Sequence, residues 1–485
     1  MATDATLIKK TASEILALLK SEAVSPLDLL DALEARIVEV DGAVNALPTL
    51  CFERARDNAK TTMAKPVGER GMLAGMPVAI KDLDPVAGVR STWGSPIYQD
   101  FVPERSDCLV ETLEANEAIV YAKSNTPEFG AGGNTFNEVF GATVNPWDTS
   151  KSCAGSSGGS AVALATGQAW MASGSDLGGS LRNPASFCSI VGFRPSPGRV
   201  AHGAGGPGSY PLDLLGIPGQ PLSVAGPMAR NVPDVALMLD AMVGDHPADP
   251  ISLPRARESY VEAVAARKLP RKVAFSRDLG ITPVHPEVVA ICETAAKRFE
   301  DMGCIVEEAH PDFTDIQDIF QTWRAMSFYV GKKLLLDNHR DLLKPEVIWN
   351  IERATELTVD DFARVEIARG RYLARAVAFF EEYDLLVCPA TIVPPYPVEQ
   401  RFVEKVGDHT FSNYVEWLSI SYAITLTGHP AMSVPAGFTQ DGLPVGLQIV
   451  GGPRGEADLL SAANLYEEVT GFAGLVPIDP RASKA

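Results

Sequence analysis

The sequence predicts an α/β fold: one large mixed β-sheet covered by helices on both faces. Two observations point there. Short apolar runs of strand length alternate with longer amphipathic segments of helical period. The balance of 46% hydrophobic to 21% charged residues is that of a globular chain with a substantial core. Taking the elements in order, Thr11-Ala12-Ser13-Glu14 has the spacing of a capping box ahead of Ile15, Leu16 and Leu19, and Ser25-Pro26 opens a second helix carrying Leu29, Leu30, Leu33 and Ile37. An α-helical segment of about residues 1–65 therefore precedes the sheet. Val78-Ala79-Ile80 and Ala118-Ile119-Val120-Tyr121 read as short buried strands, with a helix from Cys108 to Ala115 between them. Pro233 to Leu239 reads as a helix and Lys272 to Phe275 as a strand. An amphipathic helix from Glu287 to Met302 stops at Gly303 and returns as a strand at Cys304 to Glu307. Asp361 to Glu382 is a long helix, and Leu385 to Cys388 and Val445 to Val450 are further strands.

A formal net charge of −19 argues against nucleic acid or an anionic membrane as the main partner, because those surfaces require clustered Lys and Arg. The N-terminus has no basic region followed by an apolar run and a cleavage site, and no window is apolar enough to span a bilayer, so a cytoplasmic location is expected. The seven cysteines are scattered and form no Cys-x-x-Cys pair, which suits reduced, packed thiols. Cys153 and Cys188 flank the motifs described next and receive no catalytic role. No His-Glu-x-x-His, Cys/His cluster or EF-hand loop is present, so neither a metal nor another cofactor is expected. Gly203-Ala204-Gly205-Gly206-Pro207-Gly208 matches the dinucleotide fingerprint formally, but no strand precedes it and its prolines prevent a helix.

Chemistry is concentrated in two stretches, Lys151 to Ser160 (Lys-Ser-Cys-Ala-Gly-Ser-Ser-Gly-Gly-Ser) and Gly174 to Pro184 (Gly-Ser-Asp-Leu-Gly-Gly-Ser-Leu-Arg-Asn-Pro). Glycines let backbone N–H groups turn toward a ligand, while the hydroxyls supply a nucleophile or a proton relay. The apolar segment Ala161 to Trp170 between them is helix or core material, which excludes a Gly/Ser tether.

With these runs the chain resembles the amidase signature hydrolases, which carry Gly-Ser-Ser-Gly-Gly-Ser, then Asp-x-Gly-Gly-Ser-x-Arg-x-Pro-Ala, and a lysine ending an apolar strand, matched here by Pro77-Val78-Ala79-Ile80-Lys81-Asp82. The likeness continues through Ala122 to Gly130, Ala225 to Arg230 and Gly442 to Gln448. It implies a single domain over residues 1–485, a signature core at about 75–200 and a sheet of many strands. It also implies Ser180 as nucleophile, Ser156 as bridging hydroxyl after a cis peptide bond, and Lys81 as terminal base. The oxyanion hole would be the N–H groups of Leu177, Gly178, Gly179 and Ser180, with Ser157, Asp176 and Arg182 supporting it; an Asp176–Arg182 ion pair would hold the loop shape. Lys81 can accept a proton only when neutral, and free lysine titrates near ~10.4, so burial must lower its value. Ser156 is then expected within hydrogen-bond reach of both Lys81 and Ser180.

The expected activity is cleavage of amide C–N bonds of small hydrophobic, aryl amides through an acyl-enzyme, extending to carbamates and esters (a urethanase or esterase side activity), by a monomer or homodimer. A glutaminase subunit of a tRNA-dependent amidotransferase is the alternative, and a non-catalytic scaffold is disfavoured because every matched catalytic position is filled. Gly155 to Gly159 also fits a Gly-x-Ser-x-Gly nucleophile elbow centred on Ser157, but a poor strand precedes it and none of the seven histidines has a telling context. For substrate binding the sequence suggests an apolar cavity formed by Phe129, Gly130, Ala131 and Gly132 with Tyr210 and Ile217 of the irregular 201–220 loop. Asp213 and His202 are that loop's only ionisable anchors, so small charged substrates are expected to be poor.

Overall fold

The computed structural model describes residues 6–206, 208–214 and 222–482. Its centre is an eleven-stranded sheet. In chain order the strands are β1 (Thr49–Leu50), β2 (Pro77–Lys81), β3 (Ile119–Ser124), β4 (Met171–Asp176), β5 (Val191–Arg194), β6 (Val224–Ala229), β7 (Lys272–Phe275), β8 (Ile305–Glu308), β9 (Leu385–Pro389), β10 (Ala431–Phe438) and β11 (Pro444–Gly451). They lie side by side as β1-β3-β2-β4-β6-β5-β10-β11-β9-β7-β8. β3, β2 and β4 run parallel at one side of the sheet and β9, β7 and β8 at the other, with antiparallel pairing through the middle. The sheet is mixed and helices flank it, the architecture read from the alternation of segments.

Local chemistry accounts for the elements. The helices Ala12–Lys20 and Pro26–Val44 both open with a capping box, Thr11 with Glu14 and Ser25 with Asp28. β2 and β3 are buried along their whole length, as parallel strands covered on both faces must be. The helix Gly158–Ala165 has no exposed residue and packs on β4, β6, β2 and β3. At its N-cap, Ser157, the fit against β4 depends on Gly174. A Cβ on Gly174 would come within 2.6 Å of Leu181 Cδ2 and 2.9 Å of Ser157 Oγ.

Five strands escape sequence reading, β1, β4, β5, β6 and β10, and two of them carry an internal proline, Pro227 in β6 and Pro435 in β10. β6 tolerates it because β5 pairs only with Met228 and Ala229, so the position lacking an N–H has no partner strand on that side. Residues 201–206 and 208–214 hold no helix, as expected for this irregular segment. Among the described residues no helix is long and apolar enough to cross a membrane.

The topology sets the site. β2 and β4 are parallel neighbours with Ala79 opposite Ala172, so Lys81 and Asp176 leave the sheet at the same edge, outside the carboxyl ends of the strands. The Lys81 N–H donates to Ser173 Oγ at 3.0 Å, tying the two strands together where they end.

Candidate active site

Lys81 is fully buried, and its Nζ lies 2.8 Å from Ser156 Oγ, 2.8 Å from Ser157 Oγ and 3.0 Å from Ser175 Oγ. Among the described residues no carboxylate touches it. Burial drives its pKa down, the charges of Asp84 and Asp176 oppose that only in part, and the amine comes down to about 7. A neutral amine has two protons and one lone pair, so three hydroxyl neighbours satisfy it when one of them donates. Ser157 Oγ also contacts the Ser175 carbonyl at 3.3 Å, which gives its proton another acceptor. Ser156 Oγ has no other partner among the described residues, which leaves its hydroxyl free to donate to Lys81 Nζ. The Gly155–Ser156 peptide is cis.

Ser180 sits at the turn after β4, partly exposed, and its hydroxyl makes no hydrogen bond among the described residues. The expected Ser156 contacts are therefore present at Lys81 and absent at Ser180. Both serines instead line one cavity of about 150 Å³.

The loop 176–182 is held by one buried carboxylate. Asp176 Oδ1 accepts from the Gly179 N–H at 3.0 Å and Arg182 Nη2 at 2.9 Å, and Oδ2 accepts from the Leu181 N–H at 3.1 Å and Arg182 Nε at 3.0 Å. Arg194 adds a third cationic contact at 3.3 Å. Burial alone would raise the Asp176 carboxyl, but Arg182 and Arg194 hold it well below the usual carboxylate range. The same contacts correct the expected oxyanion hole. Gly179 spends its N–H on Asp176 and does not line the cavity, whereas Leu177, Gly178 and Ser180 line it with N–H groups that meet no protein acceptor among the described residues. Gly179 has φ 103°, and a Cβ there would fall 2.5 Å from Asn183 Oδ1 and 2.6 Å from Ser421 Cβ. Gly179→Ala is expected to lower stability by at least about 1–2 kcal/mol, read from urea unfolding, and to distort the turn carrying Ser180. Asp176→Asn leaves Arg182 and Arg194 short of a counter-charge in the core and is expected to cost about 3–5 kcal/mol in the same assay.

The cavity walls match the substrate-site expectation in part. Phe129, Gly130 and Gly132 line it. Ala131 does not: it is fully buried and its carbonyl accepts from Lys344 Nζ at 2.8 Å. Tyr210 does not either, because its hydroxyl donates to Asp107 at 2.9 Å and its ring packs 5.6 Å from Trp93. Ile217 lies outside the described residues. Asp213 accepts from Tyr98 Oη at 2.7 Å, and neither it nor His202 lines the cavity.

Sequence reading missed the wall opposite the serines. The helix Ile316–His339 contributes Phe320, Arg324, Ser327, Phe328 and Lys332, and Val415 and Leu418 complete that side. Residues 320, 324, 328 and 332 recur every fourth position on one helix face, and that spacing is the signal which could have found them. Ser175 and Asp84 were missed as well; burial and the neighbouring Asp107 push the Asp84 carboxyl up.

The elbow alternative loses its geometry. Ser157 is fully buried behind the cavity on Lys81, and no histidine is among the cavity-lining residues described. Burial pushes the Cys153 thiol up to about 12 and raises Cys188 too, so neither is a thiolate near neutral pH. Among the described residues no group of His, Cys, Asp and Glu could hold a metal ion.

The family profile Amidase matches residues 28–460. An acylamidase of Rhodococcus erythropolis is 34% identical over 476 residues, 97% of this chain and 97% of that protein. A glutamyl-tRNA(Gln) amidotransferase subunit of Moorella thermoacetica is 34% identical over 488 residues, covering 95% of this chain and 97% of that one. The solved structure of a bacterial aryl acylamidase, an amidase signature enzyme, superposes with a TM-score of 0.87 at 25% identity, covering 96% of this chain and 98% of that one.

Proposed function

The chain belongs to the amidase family and is a hydrolase of amide bonds, and from that premise we propose that it cleaves small aryl or otherwise hydrophobic amides through an acyl-enzyme on Ser180. The observation that carries this reading is the buried Lys81 amine, held by the hydroxyls of Ser156, Ser157 and Ser175, of which Ser156 and Ser175 line the same cavity as Ser180.

Ser156 donates its proton to neutral Lys81 and takes the Ser180 proton as Ser180 Oγ attacks the carbonyl carbon. The Ser180–Ser156 contact forms when substrate binds, in keeping with catalytic hydrogen bonds that tighten in the substrate complex. The carbonyl oxygen becomes an oxyanion, met by the N–H groups of Leu177, Gly178 and Ser180. Lys81 returns its proton through Ser156 to the departing nitrogen, the C–N bond breaks and the amine leaves. Water then attacks the ester, gives its proton to the same relay, and releases the acid and Ser180. Carbamates and esters present the same carbonyl to the same donors and are expected as further substrates.

Phe129, Phe320, Phe328, Leu83 and Leu418 give the cavity apolar walls. A hydrolysis panel with one acyl group and several leaving groups tests the assignment: aryl amides are expected to exceed glutamine and asparagine in kcat/KM by at least about tenfold. Glutamine outperforming every hydrophobic anilide and carbamate would favour the amidotransferase reading. The 34% identity to the Moorella thermoacetica protein supports that second reading. Against it, no Asp or Glu is among the described lining residues, so the ammonium of a free amino acid would find no counter-charge there.

A further inference from the structure

The wall opposite the serines carries two cations that the hydrolytic steps do not use. Arg324 is 7% exposed, and its protein partners are neutral: Nε donates to Asn350 Oδ1 at 3.0 Å and Nη2 to Tyr414 Oη at 3.0 Å. Its Nη1 donates to no protein acceptor among the described residues. One turn beyond Phe328, Lys332 places Nζ 4.7 Å from the Phe328 ring and 5.5 Å from the Phe129 ring, and has neither a hydrogen-bond acceptor nor an ion pair among the described residues. The Arg324 guanidinium also lies 4.7 Å from the Phe328 ring.

In a chain with 61 acidic and 42 basic residues, two cations in one cavity without a carboxylate contact are conspicuous. Glu128 acts on Lys332 only through its field, since its oxygens accept from Ser95 Oγ at 2.6 Å and the Lys344 N–H at 2.8 Å. Burial and the Arg324 charge lower Lys332 to about 8, so the ammonium still predominates at neutral pH and lacks a partner. Ring faces contact both cations, Lys332 is half-buried, and the unpartnered Arg324 Nη1 and Lys332 Nζ stay accessible, so an anion entering the cavity can reach them.

We propose that Arg324 and Lys332 form an anion subsite that binds a carboxylate carried by the amide substrate away from the scissile carbonyl. The substrate class is a monoanionic amide, with its apolar part between the phenylalanines and its amide at Ser180. This replaces the expectation that charged substrates are poor, which counted only Asp213 and His202 as ionisable anchors. The subsite rests on reading the cavity as an amide hydrolase site.

The test compares kcat/KM within two matched pairs on the full chain at pH 7: succinanilate against butyranilide, placing the carboxylate on the acyl side, and 4-acetamidobenzoate against 4-acetamidotoluene, placing it on the leaving side. The carboxylate member of at least one pair is expected to be better by at least about tenfold. Lys332→Met should collapse that ratio about tenfold, chiefly through KM, and Lys332→Arg should retain it. Neutral members turned over at least as well as their carboxylate partners in both pairs, or a ratio unmoved by Lys332→Met, overturns the subsite and leaves the amidase reading intact. Failure of all four amides counts against the hydrolase reading on these substrates. Calorimetry with 3-phenylpropanoate then decides the subsite alone: binding weakened about tenfold by Lys332→Met supports it, and no binding to the wild-type chain overturns it.

Discussion

Replacing Ser180 by alanine is expected to lower kcat/KM for any accepted amide by roughly 10⁴-fold or more while leaving the protein folded. The two halves of that result have separate causes. Ser180 Oγ lines the cavity and makes no hydrogen bond to the protein among the described residues, so its removal orphans no buried partner and the unfolding midpoint should barely move. Without it the oxyanion donors and the apolar walls remain, but no oxygen is placed to take the acyl group. Ser157→Ala should behave differently. It removes a hydroxyl 2.8 Å from Lys81 Nζ that also accepts from the Ser175 N–H at 3.3 Å, so it should disturb the base and leave the nucleophile in place.

Lys81→Met is expected to cost about 10²–10⁴-fold in kcat/KM, the range for losing a positioned general base, and no histidine substitution should reproduce the loss. The pH dependence follows from protonation. Lys81 acts as a base only when neutral, its pKa is lowered to about 7, and kcat/KM should rise through that region to an alkaline plateau. Asp84 lies in the same field with its carboxyl raised, so the observed midpoint belongs to the coupled group. Stability has a matching sign. Between about 7 and the unfolded lysine value near ~10.4 the unfolded chain binds the proton that the folded chain has released, so this group's contribution makes stability rise with pH across that window and flat below it. Urea unfolding at pH 7 and pH 9.5 should show that rise for the wild-type chain, diminished in Lys81→Met.

The catalytic candidates were legible because each lies in a short run whose composition is itself mechanical. Hydroxyls among glycines, and a lysine closing an apolar strand, sit in segments that fold locally and meet at one edge of parallel strands. The helices Ala12–Lys20 and Pro26–Val44 were legible from their capping boxes, and β2 and β3 from their short apolar runs, for the same local reason. What sequence reading could not supply is the far wall of the cavity. Arg324 and Lys332 come from a helix distant along the chain from both serine runs, and a basic residue every eighth position on an amphipathic helix reads as solvated surface until the fold turns that face inward. Tyr210 failed in the opposite direction. Its apolar, glycine-rich neighbourhood suggested a loop over the site, yet its hydroxyl is taken by Asp107 and its ring by the Trp93 cluster, and composition does not reveal which of two neighbouring surfaces a ring will choose. Gly179 shows the same limit at the scale of one peptide: the motif places four N–H groups together, and only the position of Asp176 reveals that one of them is already bound.

The central claim is that Ser180 is the nucleophile and that buried Ser157 is not. The most direct measurement is mass-spectrometric peptide mapping after labelling with a serine-directed fluorophosphonate at pH 8, run in parallel on the wild-type, Ser180→Ala and Lys81→Met proteins. The adduct is expected on Ser180 in the wild-type chain, to be absent in Ser180→Ala, and to form far more slowly in Lys81→Met. An adduct on Ser157, or one that persists in Ser180→Ala, would contradict it.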